Sequence, residues 1–328
     1  MGDGGARSAA KADGIGDRAV GARRCIVVGV DGSATSQEAL LWALGLGGAL
    51  GAEVVAVHAV GLREGIHDRG TTPDEWRAAL RDRVENSWCA PMRAGSCPSR
   101  VELRDGNAVE VVLRVAEDVH ADLIVVGSRG VGDTPARALG STSLRVLQAS
   151  PLPTLVVPDR VTGRSPAPSI RLRRALVGVD RSEPSLTALH LAADVVQLLG
   201  GSLSVLEVIE YVPPFPLGPS TAVTSAGEEE APARAMALLE SAVATVRRRG
   251  VAVQVIVRSG EPALTLLEVA DELDVDLVVV GTRGRGGPSE LLLGSVARTV
   301  ADGVRRPTLV VPAAVGSRVA LMDRPAEA

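Results

Sequence analysis

The sequence predicts an α/β protein built from two tandem, doubly wound, five-stranded parallel-sheet domains. Three observations carry that expectation. The nonapeptide DLIVVGSRG, Asp122–Gly130, recurs 154 residues later as DLVVVGTRG, Asp276–Gly284, with seven of nine positions identical. TLVVP occurs at Thr154–Pro158 and again at Thr308–Pro312, and VVGVDGS at Val27–Ser33 is answered by LVGVDRS at Leu176–Ser182. Within each copy, short runs that are apolar throughout alternate with longer amphipathic stretches, the pattern of parallel strands covered by helices on both faces. A period this long marks a duplicated domain, since solenoid units run to about 20–50 residues.

The elements follow in order. CIVVGVD, Cys25–Asp31, is Val/Ile-rich and bounded by polar residues, which predicts a buried first strand. A helix follows over TSQEALLWALGLGGALG, with Thr35 and Glu38 at capping-box spacing and Gly51 as its stop. EVVAVHAV, Glu53–Val60, is strand two. A variable, partly helical crossover carries Trp76 and Trp88 as covering residues, and strand three lies near Val101–Leu103. The next helix, AVEVVLRVAEDVHA, places Val109, Val112, Leu113 and Ala116 on one face. DLIVVG is strand four; a Gly-rich loop and a short helix from about Thr142 lead to TLVVP, strand five. The second copy repeats this order, with Pro184 in its first helical turn, PPFPLGPSTAVTSAGEEE in its crossover, and helices near Leu264–Glu272 and from Val296. The expected boundaries are a disordered arm at 1–22, one domain at 23–158, a Pro/Gly/Ser-rich linker at 159–170, a second domain at 171–313 and a tail at 314–328.

Composition narrows the function classes. The net charge of −4 and an aromatic content of 2% supply neither the basic footprint nor the stacking platform of a nucleic-acid binder. The run Arg247–Arg249 reads as a solvated helix end favoured by the helix dipole. No apolar run reaches the ~18 residues of a membrane span, and the start lacks the apolar core of a secretory signal, so a cytoplasmic protein is expected. Cys25, Cys89 and Cys97 form no metal-ligand pattern and read as isolated thiols. His58 reads as a satisfied strand histidine, and His67, His120 and His190 are scattered. A Walker loop with its lysine, a kinase motif set and a Ser-His-Asp constellation are all absent, so a dedicated enzyme is not indicated.

The chemistry concentrates after strand four. Both copies read Gly-x-x-Gly, nine residues, then Gly-Ser: Gly127, Gly130, Gly140 and Ser141, and Gly281, Gly284, Gly294 and Ser295. Glycines at a strand end permit left-handed backbone and close approach of a ligand to the amides. A Gly-Ser pair at a helix start adds unpaired N–H groups and a dipole that favour phosphate. In an open α/β sheet the ligand crevice lies beyond the carboxyl ends of the strands at the switch point, where Asp31 and Asp180, after Val30 and Val179, would also face. The alternative for each loop is a tight turn with no ligand; for Asp31 and Asp180 it is a capping or turn role. Arg129 and Arg283 suit a phosphate contact and an exposed role equally.

With VGVDGSATS, VGVDRSEPS, the two glycine loops and TLVVP twice, residues from about Cys25 to Pro312 resemble the universal stress protein family in its tandem form. The resemblance implies a Rossmann-like fold of the adenine nucleotide alpha hydrolase kind. It implies ATP as ligand, with Mg²⁺ as a companion, held at ribose and phosphates by Gly127, Gly130, Gly140 and Ser141, and by Gly281, Gly284, Gly294 and Ser295. Thr142 and Val296 would add backbone amides, Asp31 and Asp180 would face the nucleoside, and Ala59 and Val208 would meet the adenine edge through their backbone. It further implies pairing of the two domains through the TLVVP strands, with a homodimer and an unidentified protein partner left open, and weak ATPase activity or self-phosphorylation at Ser141 or Ser295 by analogy only. This chain departs from the pattern at Asp133, Pro135 and Arg137 in the first loop, which favours the second site. It departs again at Arg181, where the first copy has Gly32; that arginine either assists phosphate or faces solvent. A nucleotide-free scaffold remains the competing reading. A Cβ at Gly281 or Gly284 is expected to block phosphate while leaving the fold mostly intact.

Overall fold

The computed structural model describes residues 24–61, 72–131, 139–159, 172–210, 226–282, 284, 293–303 and 305–312, with backbone only at 226–231. The expected arm, nearly all of the linker, the tail, His67, Asp133, Pro135, Arg137 and Arg283 lie outside them.

In the first half the chain runs β1 (Cys25–Gly29), α1 (Ala34–Leu50), β2 (Glu53–Val60), α2 (Pro73–Arg83), β3 (Ser99–Asp105), α3 (Ala108–Asp118), β4 (Leu123–Gly127), α4 (Ser141–Ala149) and β5 (Thr154–Val157). The second half repeats it as β6 (Arg174–Gly178), α5 (Glu183–Leu199), β7 (Ser202–Ile209), α6 (Ala226–Arg248), β8 (Val253–Ser259), α7 (Pro262–Glu272), β9 (Leu277–Gly281), α8 (Ser295–Gly303) and β10 (Thr308–Val311). All strands join one ten-stranded sheet in the order β3-β2-β1-β4-β5-β10-β9-β6-β7-β8. Every neighbouring pair is parallel except β5 with β10, which is antiparallel. At that junction Leu155 pairs with Leu309, its own repeat equivalent, so the two halves are related by a local two-fold axis.

Alternation along each strand sends side chains to two core layers. Ile26, Val28, Val125, Val177 and Val279 pack with α1, α5 and α6 on one face. Val27, Ile124, Val126, Leu176 and Val278 pack with α3, α4, α7 and α8 on the other. Both layers continue through the two halves. Fully buried side chains such as Ile26, Leu40, Leu176 and Leu189 each contribute about 1.5–3 kcal/mol of hydrophobic stabilisation. With aromatics scarce, Val, Leu and Ala do this packing.

Local expectations are corrected at two places. The N-cap of α1 is Ser33, whose side chain accepts from Ser36 N; Thr35 lies inside the helix and is buried, so Thr35 and Glu38 form no capping box. Gly51 does end α1, in left-handed backbone at φ 61°. The buried face of α3 is Val111, Val112, Val115 and Ala116, rotated from the expected stripe because the helix meets β1, β2 and α4. Helix α6, 23 residues long, fills the second crossover and runs to Arg248, in keeping with the reading of Arg247–Arg249 as a helix end. At its end, Arg247, Arg248 and Arg249 are exposed as expected, and Arg249 also pairs with Asp194, which is 4% exposed. The two Asp residues opening the repeated nonapeptide also have a structural role. The Asp122 carboxylate accepts from Cys25 N at 2.8 Å, and that of Asp276 accepts from Arg173 N and Arg174 N at 2.8 and 3.0 Å. Each ties the start of one strand to its neighbour.

Candidate functional site

Strand β1 ends where its neighbours on the two sides diverge, β2 toward one edge and β4 toward the sheet centre. Val30 is buried and its N–H bonds Val57 O at 2.9 Å, which carries the chain out of the sheet at Asp31. Asp31 Oδ1 accepts from Ser33 N at 3.0 Å and from the Ser33 hydroxyl at 2.6 Å. Asp31 Oδ2 accepts from Val131 N at 2.9 Å, the residue after Gly130. One oxygen of the carboxylate thus organises the turn into α1, and the other reaches the glycine loop.

The loop is fastened from below. Thr35 donates its hydroxyl to Arg129 O, and the Ser33 hydroxyl lies 3.4 Å from the same carbonyl. Ser128 N bonds Val157 O at 2.7 Å, Gly140 N bonds Ser128 O at 2.6 Å, and the buried Ser143 hydroxyl donates to Gly127 O at 2.6 Å. The Arg129 guanidinium sits 3.5 Å from Asp159 and is partly exposed. Helix α4 starts at Ser141 behind Gly140, which has no side chain to cap it, whereas α1, α2 and α3 are capped by Ser33, Thr72 and Asn107. Among the described residues of this half, Ser141 and Thr142 thus begin the one α-helix whose first-turn amides have no side-chain cap.

The second half repeats the plan. Val179 N bonds Leu206 O at 2.8 Å; Asp180 Oδ1 accepts from Ser182 N and Oγ at 3.0 and 2.5 Å. A Cβ at Gly284 would fall 2.4 Å from Asp180 Oδ2, so this aspartate also lies against its glycine loop. Gly294 N bonds Thr282 O at 2.7 Å, and Ser295 and Val296 open α8. Ala59 and Val208, both partly buried, lie near the ends of β2 and β7, in register with Arg104 and Arg258 of the edge strands.

Two glycines have a packing reason of their own. A Cβ at Gly127 would lie 2.6 Å from the Thr35 hydroxyl and 2.7 Å from Thr35 C; at Gly281 it would lie 2.8 Å from Pro184 C. The first turns of α1 and α5 press directly on these strand ends. The expectation that a Cβ at Gly281 would spare the fold is corrected, because the obstacle is helix backbone and cannot step aside. At Gly284 the obstacle is the end of one side chain.

Arg181 meets neither expectation. It adopts left-handed backbone at φ 66° and turns to Glu207, 2.9 Å away, whose side chain is 6% exposed. The equivalent place in the first half holds Gly32, at φ 83°, beneath the indole of Trp88. His58, at the place of Glu207, is 3% exposed and its Nδ1 lies 2.8 Å from Val30 O, a satisfied strand histidine as expected. Trp88 and Glu207 were not among the candidate site residues. The substitution of Gly32 by Arg181 was their one trace in the repeat.

Among the described residues no cluster of three His, Cys, Asp or Glu could hold a metal, and no helix is long and apolar enough to cross a membrane. Cys25, Cys89 and Cys97 form no disulfide. Burial, helped by nearby Glu85, pushes the Cys89 thiol up to about 11, and burial also raises that of Cys97, so neither is an activated nucleophile.

Residues 22–158 and 171–312 each match the family model described as the universal stress protein family. The Universal stress protein Rv2623 of Mycobacterium tuberculosis is 31% identical over 297 residues, 87% of this chain and 95% of the relative. Universal stress protein Sll1654 of Synechocystis is 35% identical over 155 residues, 47% of this chain and 95% of the relative. Two solved structures share the fold. A universal stress protein from Archaeoglobus fulgidus has a TM-score of 0.61 at 22% identity, covering 87% of this chain and 95% of its own. A functionally unknown protein from Pseudomonas aeruginosa has 0.63 at 19%, covering 89% and 93%.

Proposed function

The chain belongs to the universal stress protein family, and from that premise we propose that it is a cytoplasmic regulatory protein that binds ATP, accompanied by Mg²⁺, at the crevice of each half. The observation that carries the reading is the contact between the strand-one aspartate and the glycine loop, made by Asp31 with Val131 N and mirrored by Asp180 against Gly284. It brings the carboxylate and the loop to one crevice in both halves.

ATP would supply a triphosphate and a ribose to residues already gathered there. The Gly130 and Gly284 backbone and the first turns of α4 and α8 would hold phosphate, with Arg129 and Arg283 beside it. Asp31 and Asp180 would accept ribose hydroxyls, and the backbone at Ala59 and Val208 would meet the adenine edge. Asp31 Oδ2 would exchange the Val131 amide for ribose, so binding would release and reorder the loop and change the surface offered to a protein partner. The two halves would act as one pseudo-symmetric pair, a reading supported by the Leu155–Leu309 pairing. The domains would span 23–158 and 171–313.

The test begins with protein purified without added ligand, denatured and analysed for released nucleotide. Titration calorimetry with ATP and Mg²⁺ follows, on the parent and on Gly284→Val. Stoichiometry should fall by one site in the variant, and saturating ATP at about 100 times Kd should stabilise the parent by roughly 2.7 kcal/mol for each occupied site. No nucleotide and no heat of binding would replace this reading with the scaffold; phosphate release that Gly284→Val abolishes would replace it with a slow ATPase, and label on Ser141 or Ser295 with self-phosphorylation.

A further inference from the structure

The two halves solve the same packing problem with different chemistry at the nucleoside end of the crevice. The β1–β2 and β6–β7 registers superimpose, with Gly29 beside Val57 and Gly178 beside Leu206, so Gly32 corresponds to Arg181 and His58 to Glu207. In the first half the space above Gly32 is filled by Trp88: a Cβ there would lie 2.4 Å from the indole Cε2. The indole meets His58 edge-on, with centroids 5.1 Å apart at 77°. His58 is locked below by Val30 O, so the indole rests on a fixed support. In the second half no tryptophan occupies that place. Arg181 fills it and is held by Glu207.

We propose that Trp88 is a specificity-determining residue of the first crevice, a wall on which an aromatic base stacks, and that the Arg181–Glu207 ion pair makes the second crevice unlike it. The inference rests on the nucleotide reading and deepens it. Three facts converge. Trp88 packs on the residue next to Asp31, the expected sugar ligand, and on the side chain next to Ala59, the expected base contact. It retains partial exposure, whereas His58 beneath it is buried. The chain has only three Trp, one Tyr and one Phe, so an indole at a strand-end crevice is not a by-product of an aromatic core. A base on that face gains stacking, whereas in the second half it meets a guanidinium already committed to a carboxylate.

The experiment uses the full chain carrying Gly284→Val, which leaves the first crevice as the binding site. ATP, adenosine and inorganic triphosphate are titrated with tryptophan emission and calorimetry as readouts. ATP and adenosine should change the emission and triphosphate should not; Trp88→Leu should abolish that change although Trp42 and Trp76 remain. ATP affinity should fall about 5- to 100-fold in Trp88→Leu and return to within about threefold in Trp88→Phe, which keeps an aromatic face. Unchanged ATP affinity in Trp88→Leu, or an equal loss in Trp88→Phe, overturns the proposal and leaves the nucleotide reading standing. Absence of ATP binding in the parent chain overturns both.

Discussion

Gly127 shows how one residue type serves two masters. Its repetition as Gly281 suggested a ligand's approach, yet a Cβ at Gly127 collides with the first turn of α1 and one at Gly281 with the first turn of α5, at 2.6–2.8 Å. Gly127→Ala is therefore expected to destabilise the fold by about 1–3 kcal/mol, read from urea denaturation without nucleotide. An unchanged midpoint would show that α1 yields and would return Gly127 to the ligand argument. Gly284 is the informative loop position, because among the described residues only the Asp180 side chain stands in its way. At Arg181 a side chain in left-handed backbone carries a strain of about 1–2 kcal/mol, offset by its pairing with the buried Glu207.

At the scale of elements, the site is made by helix starts. Helices α1 and α5 begin at serines bonded to the strand-one aspartate, while α4 begins behind a glycine with no side-chain cap. Ser33 closes α1, holds Asp31 and reaches toward Arg129 O. Ser33→Ala should cost about 1–2 kcal/mol, above an ordinary cap at the upper end of that range, because Asp31 loses its anchor as well. Thermal or urea unfolding checks the stability. A loss below about 0.5 kcal/mol, the floor for losing such a cap, would mean that the turn is held by backbone alone. These partners were hard to read in the sequence. VDGSATS offers Ser33, Thr35 and Ser36 as hydroxyls within four residues, and spacing alone chose Thr35, whereas helix direction against β4 chose Ser33.

At the scale of the molecule, β5 is a buried central strand only because β10 lies beside it. Residues 23–158 expressed alone would expose the Thr154–Val157 edge, four buried apolar-faced positions with unpaired backbone on one side. That fragment should dimerise through the same edge or precipitate, as measured by sedimentation; a stable monomer at micromolar concentration would show that the halves do not depend on their junction.

The repeat, the succession of strands and helices within each half and the place of the glycine loops were legible in the sequence, because burial on two faces forces apolar runs, and left-handed turns and close approaches force glycine. The contacts that distinguish the halves were not. Trp88 reaches Gly32 across 56 positions, Arg181 reaches Glu207 across 26, and Asp31 reaches Val131 across 100. Local periodicity records which face a residue must hide, but not what the chain folds against it. Only packing in three dimensions decided that an indole lies over Gly32 in one half and an ion pair stands at the equivalent place in the other.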